Sequence, residues 1–191
     1  MRGMTDRRVL AVEGGSFSKS ADRTTPAAFL LTDGIQPKRL IIKRVEVDGL
    51  DATERLIETI EELGREVDVV MSSSIPIAGF NLLDPKKVLE KFRIPSVLVL
   101  GERPDQGAVR AALKKHFGDW RKRFEIIEGA GEFHELSLEG ENPVLVECMG
   151  IEPTGAMKLV RRLTIFGRVP EPVRLARMVA RAVSCVAKAK N

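Results

Sequence analysis

The order of strand-like and helix-like segments limits this chain to a few folds. Three β-rich runs come first with no helix between them, so they are expected to pair as an antiparallel meander. Amphipathic helical segments then alternate with short apolar runs, which requires crossover connections and therefore parallel strands. The predicted meander strands are Arg8–Val12, Ala27–Thr32 and Arg39–Val47.

The rest of the chain supplies the parallel part and its helices. The remaining predicted elements are strands Val67–Met71, Ser96–Leu100, Phe124–Ile127, Phe133–Leu138 and Val144–Cys148, helical segments between them, and two final helices, Pro153–Ile165 and Glu171–Ala189. This order predicts one α/β domain over residues 1–191 with the RNase H-like three-layer fold. Its mixed sheet is expected to be antiparallel at one side, parallel at the other, and flanked by helices.

The composition is that of a globular protein in water. Apolar residues make up 43% of the chain, and no apolar run approaches the roughly 18 residues that cross a bilayer. The polar start, MRGMTDRR, lacks the apolar stretch of a signal peptide, so a cytoplasmic location is expected. Only five Asn and Gln residues stand among many Lys, Arg and Glu, a balance typical of proteins adapted to heat.

Cysteine and histidine are too few and too scattered for a soft metal site. Cys148 and Cys185 have no CxxC partner, and His116 and His134 are the only histidines. A zinc site needs several such ligands close together. Any metal bound here is therefore expected to have oxygen ligands, as Mg²⁺ or Mn²⁺ would.

Acids near the ends of the first strand and the start of the first helix could provide those oxygens. A two-metal phosphodiesterase needs several carboxylates that converge on the scissile phosphate. Glu13, Asp51 and Glu54 are the candidate catalytic residues, and Glu13 with Asp51 the candidate metal ligands. Each acid also has a structural explanation: Glu13 could simply end a strand, and Asp51 with Glu54 fits a helix N-cap and its capping-box partner.

The segment SSSIPIAGFN follows a predicted buried strand and could face a substrate. Hydroxyls and backbone amides at the carboxyl end of a strand can hold a phosphate. Phe80 could stack on a base and Asn81 could hydrogen-bond one, although a packed turn with Phe80 in the core is an equally simple reading. The candidate substrate-binding residues of this loop are Ser72, Ser73, Ser74, Gly79, Phe80 and Asn81.

Positive charge is concentrated at the C-terminal end. From residue 151 to 191 the chain has nine Lys and Arg residues and two Glu, which favours a polyanionic partner such as nucleic acid. On the last helix Arg174, Arg177, Arg181 and Lys188 are predicted to share one face, and Val179, Ala182, Val183 and Val186 another. Such a stripe could follow phosphates or be an ordinary solvated helix face.

Five blocks of sequence resemble an archaeal family named Domain of Unknown Function 99, over about residues 7–185. The blocks, in order, are RVLAVEGGSF, VEVDGLDATE, SSSIPIAGFN, IPSVLVLGERPD and VPEPVRLARMV. That family is related to endonuclease V in the RNase H-like superfamily, and endonuclease V cuts nucleic acid near deaminated bases with Mg²⁺ or Mn²⁺. The resemblance therefore implies the same fold and a role related to nucleic acid.

Two positions depart from the pattern of that family. Its first strand usually ends Ile-Asp-Asp-Gly, where this chain has Val12-Glu13-Gly14-Gly15, and its serine loop usually begins Asp-Gly at the positions of Ser73 and Ser74. The aspartate at the Ser73 position matches a metal-binding acid of endonuclease V. Loss of a carboxylate removes a hard ligand and several kcal/mol of transition-state stabilisation. We therefore expect a degenerate metal site, and Mg²⁺-dependent cleavage is in doubt.

Three functions remain open on the sequence alone. The first is a nucleic-acid-related protein of endonuclease V type with a degenerate metal site. The second is an active Mg²⁺- or Mn²⁺-dependent endonuclease that uses Glu13, Asp51 and Glu54. The third is a module that binds a nucleotide, a phosphate or a protein partner through the serine loop.

Overall fold

The computed structural model describes residues 7–188 as a seven-stranded mixed sheet with helices on both faces. The side chain of Lys188 and the predicted helix end at Ala189 lie outside the described residues. Within the described range, no helix is both long enough and apolar enough to cross a membrane.

The elements alternate largely as the sequence predicts. In chain order they are β1 Arg8–Gly14, β2 Thr24–Asp33, β3 Gln36–Glu46, α1 Ala52–Leu63, a 3₁₀ turn Gly64–Glu66, β4 Val69–Ser72, β5 Pro76–Ala78, β6 Asn81–Leu82, α2 Pro85–Phe92, β7 Ser96–Leu100, α3 Gln106–His116, α4 Trp120–Glu128, β8 Phe133–Leu136, β9 Val144–Met149, α5 Pro153–Leu163 and α6 Glu171–Lys188. The strands β5 and β6 form a small separate sheet that begins within the segment SSSIPIAGFN and ends just after it.

The parallel strands occupy the centre of the main sheet. The strand order is β3-β2-β1-β4-β7-β9-β8, and only the β1–β4 and β4–β7 pairs are parallel. The mixed RNase H-like sheet is confirmed, but its parallel part does not reach an edge. The connection 137–143 between β8 and β9 is too short for a crossover, so these strands pair antiparallel beside β7.

The side chains of β1 alternate between two separate hydrophobic cores. Val9 and Ala11 pack in the core covered by α5 and α6, whereas Leu10 and Val12 pack in the core covered by α1 and α2. Side chains alternate between the faces of a strand, so Glu13 is directed towards the α6 face. All four apolar residues are fully buried, which fixes the register of the strand.

Phe124–Ile127, predicted as a strand, lies within helix α4. Trp120, Phe124 and Ile127 recur at helical spacing, and the helix buries Arg123 and Phe124. A stretch of four residues with three apolar side chains does not distinguish a strand from one turn of a buried helix.

The face of α6 that carries Val179, Ala182, Val183 and Val186 is not the buried face of this helix. Ala182 and Val186 are exposed, and the buried line runs instead through smaller side chains: Val173, Ala176, Ala180 and Ser184. Small residues allow this helix to approach β1 and β2 closely.

Candidate functional site

Glu13 is the centre of a buried polar cluster at the end of β1. Its Oε1 accepts a hydrogen bond from the backbone N–H of Ser73 at 2.8 Å, and its Oε2 accepts one from the Ser73 hydroxyl at 3.0 Å. Arg177 Nε donates to the same Oε2 at 3.1 Å. The Glu13 side chain is only 7% exposed and that of Arg177 29%. The carboxylate is therefore both hydrogen-bonded and neutralised from inside the chain.

Strand pairing brings Glu13 and Ser73 together. In the parallel pair β1–β4, Ala11 is level with Met71, so the residues two positions further along each strand are level as well. The carboxyl ends of adjacent parallel strands meet at one edge of a sheet, where polar side chains can converge.

Arg177 reaches this edge because α6 docks closely on the residues after β1. A Cβ on Gly15 would overlap the hydroxyl of Ser184, and that hydroxyl accepts a hydrogen bond from the N–H of Ser16 at 3.0 Å. The absence of a side chain at position 15 thus sets how near α6 can come.

The serine loop satisfies its own polar groups. The hydroxyl of Ser72 donates to the carbonyl of Ser74 at 2.8 Å, and that of Ser74 donates to the carbonyl of Pro76 at 2.7 Å. The amide of Ser73, which could bind a phosphate, binds the carboxylate of Glu13. The internal carboxylate therefore occupies the anion position of this loop.

Asp51 and Asn81 form a second set of bonds at the start of α1. Asp51 Oδ1 accepts from the amide of Asn81 at 2.6 Å and from the N–H of Glu46 at 3.0 Å. Asn81 is fully buried, and its Oδ1 accepts from the N–H of Ala52 at 2.9 Å. Asn81 also donates to the carbonyl of Glu46 at 2.7 Å, so both its amide hydrogens bind within the chain and neither remains for a base.

The expected capping box at α1 does not form. Asp51 occupies the N-cap position in a helical conformation and makes no side-chain cap bond. Asn81, from the β6 strand, caps the helix instead by accepting from Ala52. Glu54 is exposed on the first turn, and no hydrogen bond or ion pair joins Asp51 or Glu54 to the Glu13 cluster within residues 7–188.

Arg123 is a functional-site neighbour that the sequence did not single out. It is buried, and its Nη1 donates to the carbonyls of Gly49 at 2.8 Å and Phe80 at 2.7 Å. Phe80 is half-buried and meets Phe117 edge-on at 5.5 Å. Phe80 is therefore part of a packed turn. Arg123 connects α4 to the loops that contain Gly49 and Phe80.

The turn before Phe80 is held by Asp48. Gly79 has a φ of +63°, a conformation that favours glycine. Asp48 Oδ1 accepts from the N–H of Phe80 at 2.7 Å. These contacts make Gly79 part of a rigid turn.

The predicted arginine stripe on α6 is divided among different partners. Arg174 pairs with Glu171 at 2.6 Å, and Arg177 pairs with Glu13. Arg181 is exposed and has no ion pair among the described residues. Only Arg181 of these three remains available to an external phosphate.

The residues around Glu13 do not fit a divalent ion. Mg²⁺ and Mn²⁺ need several oxygen ligands, but both oxygens of Glu13 already accept hydrogen bonds and one faces a guanidinium. Ser73 offers no carboxylate, and a Cβ at Gly14 would overlap the carbonyl oxygen of Ile77. Within residues 7–188, no group of three or more His, Cys, Asp or Glu could hold a metal ion.

Glu147 on β9 is a second buried acid that the sequence analysis missed. It is 3% exposed, and burial raises the pKa of its carboxyl to about 7. It pairs across the sheet with Leu98 and Phe133. The sequence does carry a signal for this buried acid, because Glu147 is the single charged residue inside the apolar run VLVECM.

Comparisons with known proteins agree with this architecture. Residues 5–184 match the model of a family described as endonuclease dU. A UPF0215 protein of Thermococcus gammatolerans is 34% identical over 181 residues, covering 92% of this chain and 91% of that protein. A UPF0215 protein of Pyrococcus furiosus is 32% identical over 180 residues, with coverage of 92% and 91%. The expectation of archaeal, heat-adapted relatives is thus confirmed.

Solved structures show the same fold. A protein of unknown function from Archaeoglobus fulgidus superimposes with a TM-score of 0.81 at 30% identity, covering 93% of this chain and 98% of that one. Endonuclease V from Bacillus subtilis gives 0.64 at 12% identity, with coverage of 97% and 84%. Endonuclease V from Ciona intestinalis, in complex with a DNA that contains inosine, gives 0.59 at 13% identity, with coverage of 93% and 85%. The resemblance to endonuclease V is confirmed at the level of the fold.

Proposed function

Since the chain belongs to the family described as endonuclease dU, we propose that it binds nucleic acid through an endonuclease V-like fold, and that this binding needs no metal ion at the carboxylate of Glu13. The observation that carries the proposal is the closed set of bonds on Glu13, in which Ser73 and Arg177 take the places that metal ligation would need. The basic charge of the chain, +4 overall, supports a polyanionic partner.

Binding without metal follows from the charge balance at Glu13. A carboxylate attracts Mg²⁺ when its charge is uncompensated and its oxygens are accessible. Arg177 supplies one positive charge at 3.1 Å, and the side chain of Glu13 is almost wholly buried. Mg²⁺ should therefore bind this carboxylate weakly, and the affinity for nucleic acid should depend on phosphate contacts alone.

The test compares binding with and without divalent ions. Labelled single-stranded and duplex oligonucleotides are titrated with the protein, with EDTA or with Mg²⁺, between about 50 and 200 mM salt. With EDTA we expect affinity that falls with salt, because counterion release accompanies phosphate contacts, and we expect no gain in affinity when Mg²⁺ is added. Absence of binding at the lowest salt would overturn the proposal.

A second candidate, cleavage at a deaminated base, is supported by the family description and by the inosine-containing DNA bound to the Ciona endonuclease V. In that case Mg²⁺ or Mn²⁺ would be required, and Glu13 would be the first residue to ligate it. Oligonucleotides with deoxyuridine or deoxyinosine, incubated with each ion, separate the two candidates. Cleavage that needs the ion and is lost in Glu13→Gln, but kept in the control Glu135→Gln at an exposed position of β8, would replace the metal-free proposal.

The phosphate-binding alternative has less support. Its main donor, the amide of Ser73, already binds Glu13. A thermal-shift titration with nucleotides and inorganic phosphate is expected to leave the melting temperature unchanged, since only a ligand that binds the folded state raises it.

A further inference from the structure

The hairpin of helices α3 and α4 carries positive charge that the Glu13 cluster does not use. From residue 110 to residue 123 the chain has six Arg and Lys residues and one acid, Asp119. Asp119 pairs with the buried Arg123 at 2.9 Å. The other five cations are exposed, and none has an ion pair within the described part of the chain: Arg110, Lys114, Lys115, Arg121 and Lys122.

Three of these cations surround one aromatic ring. Lys114 and Arg121 each lie 4.7 Å from the ring centre of the half-exposed Trp120, and Arg110 lies 5.8 Å from it. Each cation–π contact at an exposed site is worth only about 0.5–1 kcal/mol. The like charges also repel one another, so an anion placed among them would relieve an unfavourable concentration of charge.

We propose that this α3–α4 hairpin is the surface on which the protein binds single-stranded nucleic acid, with phosphates on Arg110, Lys114 and Arg121 and an unpaired base against Trp120. The inference rests on the proposed function and assigns its binding surface. Cations that follow the backbone around an aromatic ring that stacks a base are the usual means of holding single strands. A duplex keeps its bases stacked on each other, so its base faces are not available to the ring.

The surroundings extend the surface and hold it in place. Lys86 and Lys87 of α2 line one depression together with Lys122 of α4. Arg123 fastens the hairpin to the loops at Gly49 and Phe80. By contrast, helix α6 uses two of its three candidate arginines in internal ion pairs. The hairpin therefore offers more unpaired cations than the C-terminal helix.

The chain contains its own reporter for this surface. Trp120 is the only tryptophan and there is no tyrosine, so intrinsic fluorescence reports on Trp120 alone. A single strand of about 15 nucleotides is expected to change this fluorescence with the same midpoint as the anisotropy of a labelled strand. The matching duplex is expected to bind more weakly and leave the fluorescence unchanged.

Matched variants separate charge from stacking. Lys114→Ala with Arg121→Ala should weaken binding at least tenfold at low salt and reduce the salt slope by about 2, since each phosphate contact contributes about 1. Trp120→Ala should weaken binding by roughly tenfold with little change in slope, and Trp120→Phe should restore most of it. The control, Lys38→Ala with Arg65→Ala, removes two exposed cations elsewhere and should change affinity less than about twofold.

The outcomes distinguish this inference from the proposed function. If the wild type binds single strands but the hairpin variants bind equally well, or if the control pair weakens binding as much as they do, the hairpin assignment is wrong and the proposed function stands. If the wild type binds no nucleic acid at low salt, both are wrong. Circular dichroism and melting temperatures of each variant confirm that a loss of binding is not a loss of folding.

Discussion

At the scale of single residues, the chain contains a buried carboxylate whose counter-charge comes from a distant helix. Ser73 gives Glu13 two hydrogen bonds and Arg177 gives it a positive charge. Deleting one partner of a buried ion pair leaves the other without compensation, which costs far more than the net value of the pair. Arg177 should therefore matter to stability, and its effect should depend on the charge of Glu13.

The first prediction concerns this dependence. Arg177→Met is expected to lower the free energy of unfolding by about 3 kcal/mol, because Glu13 would keep a buried charge. Adding Glu13→Gln should recover part of the loss, since a neutral amide needs no counter-charge. Guanidinium denaturation at neutral pH measures both, with Arg181→Met as the matched control on the same helix; equal losses at 177 and 181 would contradict the ion-pair explanation.

The second prediction concerns Glu147 and pH. Burial raises the pKa of its carboxyl from 4.5 to about 7, so between these values the folded state holds a proton that the unfolded state has lost. Stability should then fall as pH rises from about 5 to about 7, by about 3 kcal/mol from this group, and stay level above that. Glu147→Gln should remove this part of the pH dependence and be more stable than the wild type at pH 8.

Denaturation at several pH values checks this difference. Subtracting the variant's curve from that of the wild type cancels the histidines, which titrate in the same range. Glu135→Gln, on the neighbouring β8 strand and exposed, is the control and should leave the curve unchanged. A pH profile of Glu147→Gln parallel to that of the wild type would count against the raised pKa.

At the scale of elements, α4 shows where sequence reasoning reached its limit. The stretch FEII at Phe124–Ile127 contains three β-prone apolar residues and therefore predicts a strand, but the burial of Arg123 and Phe124 shows one face of a helix. A buried arginine that donates to two carbonyls has no local sequence signature. The longer amphipathic helices, by contrast, could be predicted because their apolar period continues over several turns.

The third prediction tests whether Arg123 fixes the loops at Gly49 and Phe80. Arg123→Met keeps the apolar stem but leaves the carbonyls of Gly49 and Phe80 without a donor, at a cost of about 1–3 kcal/mol each if they remain buried. Amides of residues 47–50 and 79–81 should exchange hydrogen faster, while those of β1 keep their protection. Arg121→Met on the same helix is the matched control, and equal exchange in both variants would refute the role assigned to Arg123.

At the scale of the whole molecule, one sheet serves two cores. β1 contributes Val9 and Ala11 to one and Leu10 and Val12 to the other, so neither core is complete without this strand. The mixed sheet and the meeting of Glu13 with Ser73 could be predicted, because adjacent parallel strands end at the same edge. The pair of Glu13 with Arg177, 164 positions apart, could not, because it depends on how closely α6 docks at Gly15.

The fourth prediction follows from the shared strand. Thermal or guanidinium unfolding is expected to be a single transition, with the same midpoint by far-ultraviolet circular dichroism and by Trp120 fluorescence. The fluorescence reports on the α3–α4 hairpin, and the circular dichroism on the whole chain. Arg123→Met, which removes the bonds between the hairpin and the neighbouring loops, should lower the fluorescence midpoint below the circular-dichroism midpoint. Separate midpoints in the wild type would mean that the hairpin unfolds independently.

The close approach of the Ile77 carbonyl to Gly14 restricts which residues can occupy position 14. In the resembled family this position usually carries an acid, yet here a single change to aspartate would place its Cβ inside the backbone of the β5 strand. A second acid at this position would therefore require the β5 strand to move away from the end of β1. The close approach of these two segments thus limits the end of β1 to the single carboxylate of Glu13.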